Sequence, residues 1–230
     1  MIQTVWMLAI SALNIIGILV YLGKEFPLLP DQIAMHFDFY GEPSYYWTKY
    51  FIFMFPILVI VIPVLFCLLP KYDPMKENYY AFKMEYNLFS VAIQSFMVYV
   101  TVLLVMWNKG PHFDFLQLTL PGITAIFFVA GYAQIKCKRT KFFGVRTAWS
   151  LRNDKNWETV NKPSGYVFFV SGTLGLISTL TGNKWILAAC IIVLIAGLIG
   201  VCIYGYNLSK REPAQSATEV KKEAEKPKTE

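Results

Sequence analysis

The chain has 230 residues, of which 56% are hydrophobic and only 16% charged, and it carries a formal net charge of +6. Soluble domains carry about 25% charged residues, so this balance excludes an ordinary soluble domain and most soluble enzyme classes with it. The basic excess is explained by membrane topology, with the lipid bilayer as the default partner and no direct role for nucleic acid.

Six stretches are nearly free of charge, and each is long enough to cross hydrocarbon as a helix of roughly 20 residues. The fold class that follows is an all-α membrane protein with six transmembrane helices, a small extracellular hairpin-like loop and a basic amphipathic cytoplasmic loop. The first span covers 4–22; it lacks the basic n-region and the A-x-A-like site of a signal peptide, so it is kept as a membrane helix. The second, 50–69, holds Pro56 and Pro63 on one helix face, where each frees a carbonyl and permits a kink. Residues 71–85 form a short inner segment in which Tyr79, Tyr80 and Phe82 suit headgroup-level anchoring. Spans three and four cover 86–107 and 116–134. Spans five and six, 165–181 and 185–206, carry Ser171, Gly175 and Thr179 and then Ala196 and Gly200 at four-residue spacing, the pattern of closely packed helices. The tail from 209 to 230 is Lys, Glu, Pro and Ala, too polar to bury a core, and is expected to be a disordered cytoplasmic tail. The chain thus divides into an N-terminal half, 1–115, a C-terminal half, 116–208, and the tail.

Orientation follows from the cations. The segment Lys136–Lys162 holds eight of the 21 Lys and Arg residues, 71–85 holds three and the tail six, against four in the remaining loops. Short loops rich in Lys and Arg stay in the cytoplasm, which puts both termini inside a multi-pass cell-membrane protein.

The four cysteines offer neither a disulfide framework nor a zinc site: Cys67, Cys190 and Cys202 lie in or beside apolar spans, Cys137 lies in the basic loop, and none forms a C-x-x-C pair. Coupled transporters and intramembrane proteases place ionisable groups at mid-depth. Here the spans offer Asn14, Gln94 and scattered Ser and Thr instead. No catalytic motif is present, so no enzyme, no metal and no cofactor is expected.

Two loops remain as candidate sites. In the outer loop, I-A-M-H-F-D-F (Ile33–Phe39) alternates with period two, Y-G-E-P supplies a turn, and Ser44–Thr48 can return as a second strand. Ile33, Met35, Phe37 and Phe39 would face one way, and Ala34, His36 and Asp38 the other. His36 and Asp38 would then stand side by side on the wet face, as a cation or ligand pair or as merely solvated groups, with Gly41, Tyr45 and Trp47 completing a candidate ligand surface. In the inner loop, a turn at Gly144 precedes a helix from about Asp154, capped by Asn153 or Asp154. Trp149 and Trp157 would sit at headgroup level and Arg146 and Arg152 would meet phosphate or helix carbonyls; alternatively these four form a docking surface for a soluble partner.

The stretch Leu29–Lys49, L-P-D-Q-I-A-M-H-F-D-F-Y-G-E-P-S-Y-Y-W-T-K, resembles the N-terminal signature of the SdpI family of bacterial membrane proteins, approximately L-P-x-x-I-P-x-H-F-x-x-x-G-x-P-D-x-x-x-x-K. Leu29, Pro30, Ile33, His36, Phe37, Gly41, Pro43 and Lys49 match, while Ala34 and Ser44 depart from the usual proline and aspartate. The block F-F-G-V-R-T-A-W-S-L in the inner loop is similar to the family's F-G-I-R-T-P-W-T-L through Phe143, Gly144, Arg146, Thr147, Trp149 and Leu151, with Trp157 matching a later tryptophan. Ala148 replaces a proline, and N-K-P-S-G (Asn161–Gly165) replaces T-H-R-x-x-G, so that any role for that histidine is absent. The resemblance implies an immunity and receptor protein that meets a secreted toxin peptide outside and recruits a transcriptional repressor inside. The alternative is a small uncoupled permease or channel gated by the prolines of span two.

Overall fold

The structure, a computed structural model, describes residues 4–224. Its six long helices are α1 Val5–Glu25, α2 Met54–Tyr72, α3 Lys83–Lys109, α4 Phe115–Lys136, α5 Asp154–Thr181 and α6 Lys184–Ala224. Each is long and apolar enough to span a bilayer, and the chain is a multi-pass membrane protein. The helices pack in series: α3 touches α1, α2 and α4, and α5 joins α4 to α6. Their connections gather at two ends. One end carries an antiparallel hairpin, β1 Gln32–Phe37 and β2 Pro43–Thr48, and the other carries the basic loop between α4 and α5.

Hydrocarbon supplies no hydrogen bonds, and several polar side chains inside the spans bond one another or a carbonyl that a proline has freed. Pro63 lacks the N–H that would have bonded the Val59 carbonyl one turn earlier, and the buried Gln94 Nε2 on α3 donates to that oxygen at 2.7 Å. Pro70 withdraws its N–H from the Phe66 carbonyl in the same way, and Tyr86 OH donates there at 3.0 Å. Asn14 of α1 closes the group by donating to Gln94 Oε1 (3.3 Å) and Ser95 Oγ (3.0 Å). These prolines therefore mark where α3 is fastened to α2.

Small residues set the approach of the last three helices, though not all at the expected places. A side chain on Gly131 would strike the Gly165 carbonyl at 2.8 Å, and one on Gly165 would strike the Gly131 carbonyl at 2.7 Å, so α4 and α5 touch backbone to backbone. A Cβ on Gly175 would meet Thr124 of α4 at 2.8 Å. On α6 the close approaches are Gly197 against Val167 and Gly205 against Val160. Ala196 and Gly200, the expected contact pair, are instead exposed among Ile191, Ile192, Ile195, Ile199 and Ile203 on the apolar outer face. The reason is phase: at 3.6 residues per turn, Gly197 and Gly205 share a face that Ala196 and Gly200 do not.

Two other expectations change. The backbone of α6 stays helical to Ala224, into the stretch expected to be a disordered tail, because Lys, Glu and Ala are good helix formers that need no core; residues 225–230 lie outside the described residues. In the hairpin, register shifts between Ala34 and His36 and between His36 and Phe37 break strict alternation, so Ala34 is fully buried beside Ile33 instead of facing water with His36.

Candidate functional site

At the hairpin end, Phe37 is the anchor. Its ring stacks on Phe115 at 4.0 Å between centroids and meets Trp107 edge-on at 5.1 Å. Lys49 ties the two ends of the loop, with Nζ 3.1 Å from Asp31 and 3.4 Å from the Leu29 carbonyl. The turn is fixed by Asp38, whose Oδ1 accepts from Tyr40 N (2.8 Å) and Glu42 N (3.0 Å). His36 turns away from that carboxylate: its Nδ1 lies 2.7 Å from Ser44 Oγ and its ring meets Tyr45. The expected His36–Asp38 pair is thus divided between two tasks, since the turn's amides compete for the carboxylate. Among the described residues, no three His, Cys, Asp or Glu side chains converge as metal ligands.

Gly41 sits at φ +84°, and a Cβ there would lie 2.1 Å from Asp114 Oδ1. Asp114 caps α4 by accepting from Gln117 N at 2.9 Å, and its other oxygen pairs with Lys184 at 2.6 Å. Lys184, the first residue of α6, also donates to the Tyr40 carbonyl at 2.5 Å. One ammonium thereby latches the hairpin tip to α4 and α6. Beneath the hairpin a cavity of about 360 Å³ opens between α4, α5 and α6, lined by Phe37, Phe39, Leu116, Leu120 and Leu187. Tyr45 and Trp47 remain exposed on β2.

The basic loop is held from within. Asn153 caps α5 by accepting from Asn156 N at 2.8 Å. Trp157 is 1% exposed and packs with Tyr79, Phe82, Tyr86 and Cys137; its Nε1 donates to the Cys137 carbonyl at 3.1 Å. It therefore supports the loop and offers nothing to a partner, because it lies on the same face of α5 as Val160 and Asn161, which is turned into the bundle. Gly144 (φ +94°) lies against the Trp157 ring, 2.7 Å from where its Cβ would be. Asn161 clasps the next residue, accepting from Val145 N (2.7 Å) and donating to Val145 O (3.3 Å). Across the bundle, buried Asp73 accepts from Tyr79 OH (2.9 Å) and Lys141 N (2.7 Å), joining the α2–α3 connection to the loop.

Of the other three candidates, Arg146 and Arg152 are exposed, Arg146 donating to the Lys141 carbonyl at 2.9 Å. Trp149 is half-buried against Tyr206 of α6 at 5.1 Å. The burial of Cys137 pushes its thiol up to about 12, so it is an inert core group rather than a nucleophile.

The SdpI/YfhL protein family model matches residues 136–205, and that of a domain of unknown function (DUF1648) matches residues 12–60. The two matches fall in the order of the two motifs and together cover just over half of the chain. The chain belongs to the SdpI family. No curated protein and no solved structure matches it. SdpI membership gives, at family level, a membrane protein of the immunity type, in a family not known as enzymatic. Within this SdpI-family fold, the signature residues Leu29, Ile33, Phe37, Gly41 and Lys49 shape and fasten the hairpin, and Phe143, Gly144 and Trp157 build the loop. Asn108, whose side-chain amide bonds the Ala34 backbone, and Asp114, Lys184 and Asp73 were missed by sequence reasoning, since these partners lie 68 to 144 positions away in the chain.

Proposed function

We propose that this protein is a cell-membrane receptor of the immunity type, with the hairpin end outside and both termini in the cytoplasm, which binds a secreted antimicrobial peptide through the surface around His36, Tyr45 and Trp47. The observation that carries the reading is the Lys184 latch: three residues distant in sequence hold an exposed, aromatic hairpin in one pose, the preorganisation a binding surface needs. The distribution of cations supports the orientation. Arg146, Arg152 and the accessible edge of Trp149 form the inner surface on which a transcriptional repressor would dock, with α6 reaching from the latch to Trp149. Against the gated-permease alternative stands the bond from Gln94 to the carbonyl freed by Pro63, which fastens α2 to α3 at that proline.

The test is survival of a peptide-sensitive host expressing the chain and challenged with SDP-type toxins, alongside His36→Ala and Arg146→Ala at equal membrane abundance. Protection by the parent, lost with His36→Ala and kept with Arg146→Ala, is the expected result. No protection by the parent removes the immunity reading, and failure of external reagents to label Ser44→Cys in the same intact cells removes the orientation.

A further inference from the structure

A sheet of two strands has two edges, and the fold treats them differently. Lys49 N donates to Asp31 O at 3.0 Å, which sets the phase of the ladder. Given the register Ile33↔Trp47, that pair exchanges its backbone bonds inward, while Gln32 and Ala34 on β1 and Tyr46 and Thr48 on β2 turn theirs outward. On β1 the outward groups of Ala34 are filled. Asn108 Oδ1 accepts from Ala34 N at 2.7 Å and its Nδ2 donates to Ala34 O at 3.1 Å, so one side-chain amide imitates a neighbouring strand. On β2 the outward N–H and C=O of Tyr46 and the N–H of Thr48 have no hydrogen-bond partner among the described residues, while the Thr48 carbonyl opens the 3-10 turn Lys49–Phe53.

Exposed edges are ordinarily guarded by charge, proline or a bulge. Here the segment S-Y-Y-W-T (Ser44–Thr48) has no charge, Pro43 guards only its start, and both register shifts lie towards the turn. The side chains along this edge are aromatic and exposed: Tyr45, Tyr46 and Trp47. An unpaired edge asks for donors and acceptors in alternation at strand spacing, which an extended main chain supplies and a lipid headgroup layer does not.

We propose that the β2 edge takes an extended segment of a peptide as a third strand, with the N–H and C=O of Tyr46 and the N–H of Thr48 supplying the hydrogen bonds and Tyr45, Tyr46 and Trp47 the apolar contact. This rests on the peptide-receptor reading above and names how the peptide is held. It also divides the labour within the hairpin: β1 is committed to the bundle through Asn108 and Phe37, and β2 is left for the ligand.

Thr48 provides a clean test. Its φ of −61° and ψ of 142° are values a proline adopts, and its N–H points away from β1, so Thr48→Pro removes an edge donor while the hairpin stays intact; Thr48→Ala keeps the donor and loses only the side chain. The full chain, one copy per lipid nanodisc, is titrated with purified SDP-type toxin while amide exchange is followed over the hairpin. Expected are slower exchange at Ser44–Thr48 on adding toxin, toxin binding weakened about tenfold by Thr48→Pro, parental binding by Thr48→Ala, and unchanged exchange at Ile33 and Trp47 in the proline variant without toxin. Toxin binding with unaltered exchange at Ser44–Thr48 and full affinity in Thr48→Pro overturns the edge and leaves the receptor reading standing. Absence of both binding and host protection overturns the receptor reading and the edge together. Protection of the edge that appears only when two copies share a disc, without toxin, overturns the proposal in favour of pairing between copies.

Discussion

Cys137 shows how little of a residue's chemistry its own identity decides. It closes α4 among Trp157, Tyr79 and Phe82, and burial is the first cause of its raised pKa, which lies at about 12. A raised folded-state pKa means that the neutral thiol's contribution to stability is complete below the unfolded value of about 8.5 and is lost as the pH climbs from there towards 12. In the folded protein Cys137 is therefore expected to resist maleimide at pH 7.5 and to react once Trp157→Ala opens the cluster; the parent should lose thermal stability above about pH 9, with a shallower loss in Cys137→Ala. Mass spectrometry of the labelled chain and melting curves in detergent check both. The cap at Asn153 was legible because its bonds close within three residues. The burial of Trp157 was not: a tryptophan near a membrane boundary suits headgroups equally well, and its acceptor is 20 positions away.

The same distinction holds for whole elements. Span lengths and the hairpin could be read from hydropathy and alternation, since each is a property of a contiguous stretch. Which prolines bend and which are fastened could not, because the answer lies on α3. If Gln94 bonds the carbonyl that Pro63 leaves, Gln94→Leu costs about 1–2 kcal/mol of stability in the parent. It should cost distinctly less in a Pro63→Ala background, where the helix supplies the missing N–H itself. Unfolding in graded SDS, run as a double-mutant cycle, measures the difference, and additive losses would contradict the pairing. On α6 the small-residue pattern was legible but its phase was not, and one residue of phase separates a helix contact from a lipid-facing glycine.

At the scale of the molecule, the N-terminal and C-terminal halves are joined at both ends, by Asp73 to Lys141 at the basic end and by Lys184 to Tyr40 at the hairpin end. Removing the second join should loosen the hairpin and leave the bundle intact. Lys184→Met is expected to speed amide exchange at Phe39–Gly41, equivalent to about 1–2 kcal/mol of local opening, with little change in global melting. The fastening of α2 also bears on how the protein is made. The chain is synthesised from its N-terminus, so α2 is complete before Gln94 exists. Until that residue arrives, the Val59 carbonyl lacks both its helical donor and its substitute, and hydrocarbon provides neither. The second span completes its hydrogen bonding only when the third joins it, and the expected route is release from the translocon as a two-helix unit.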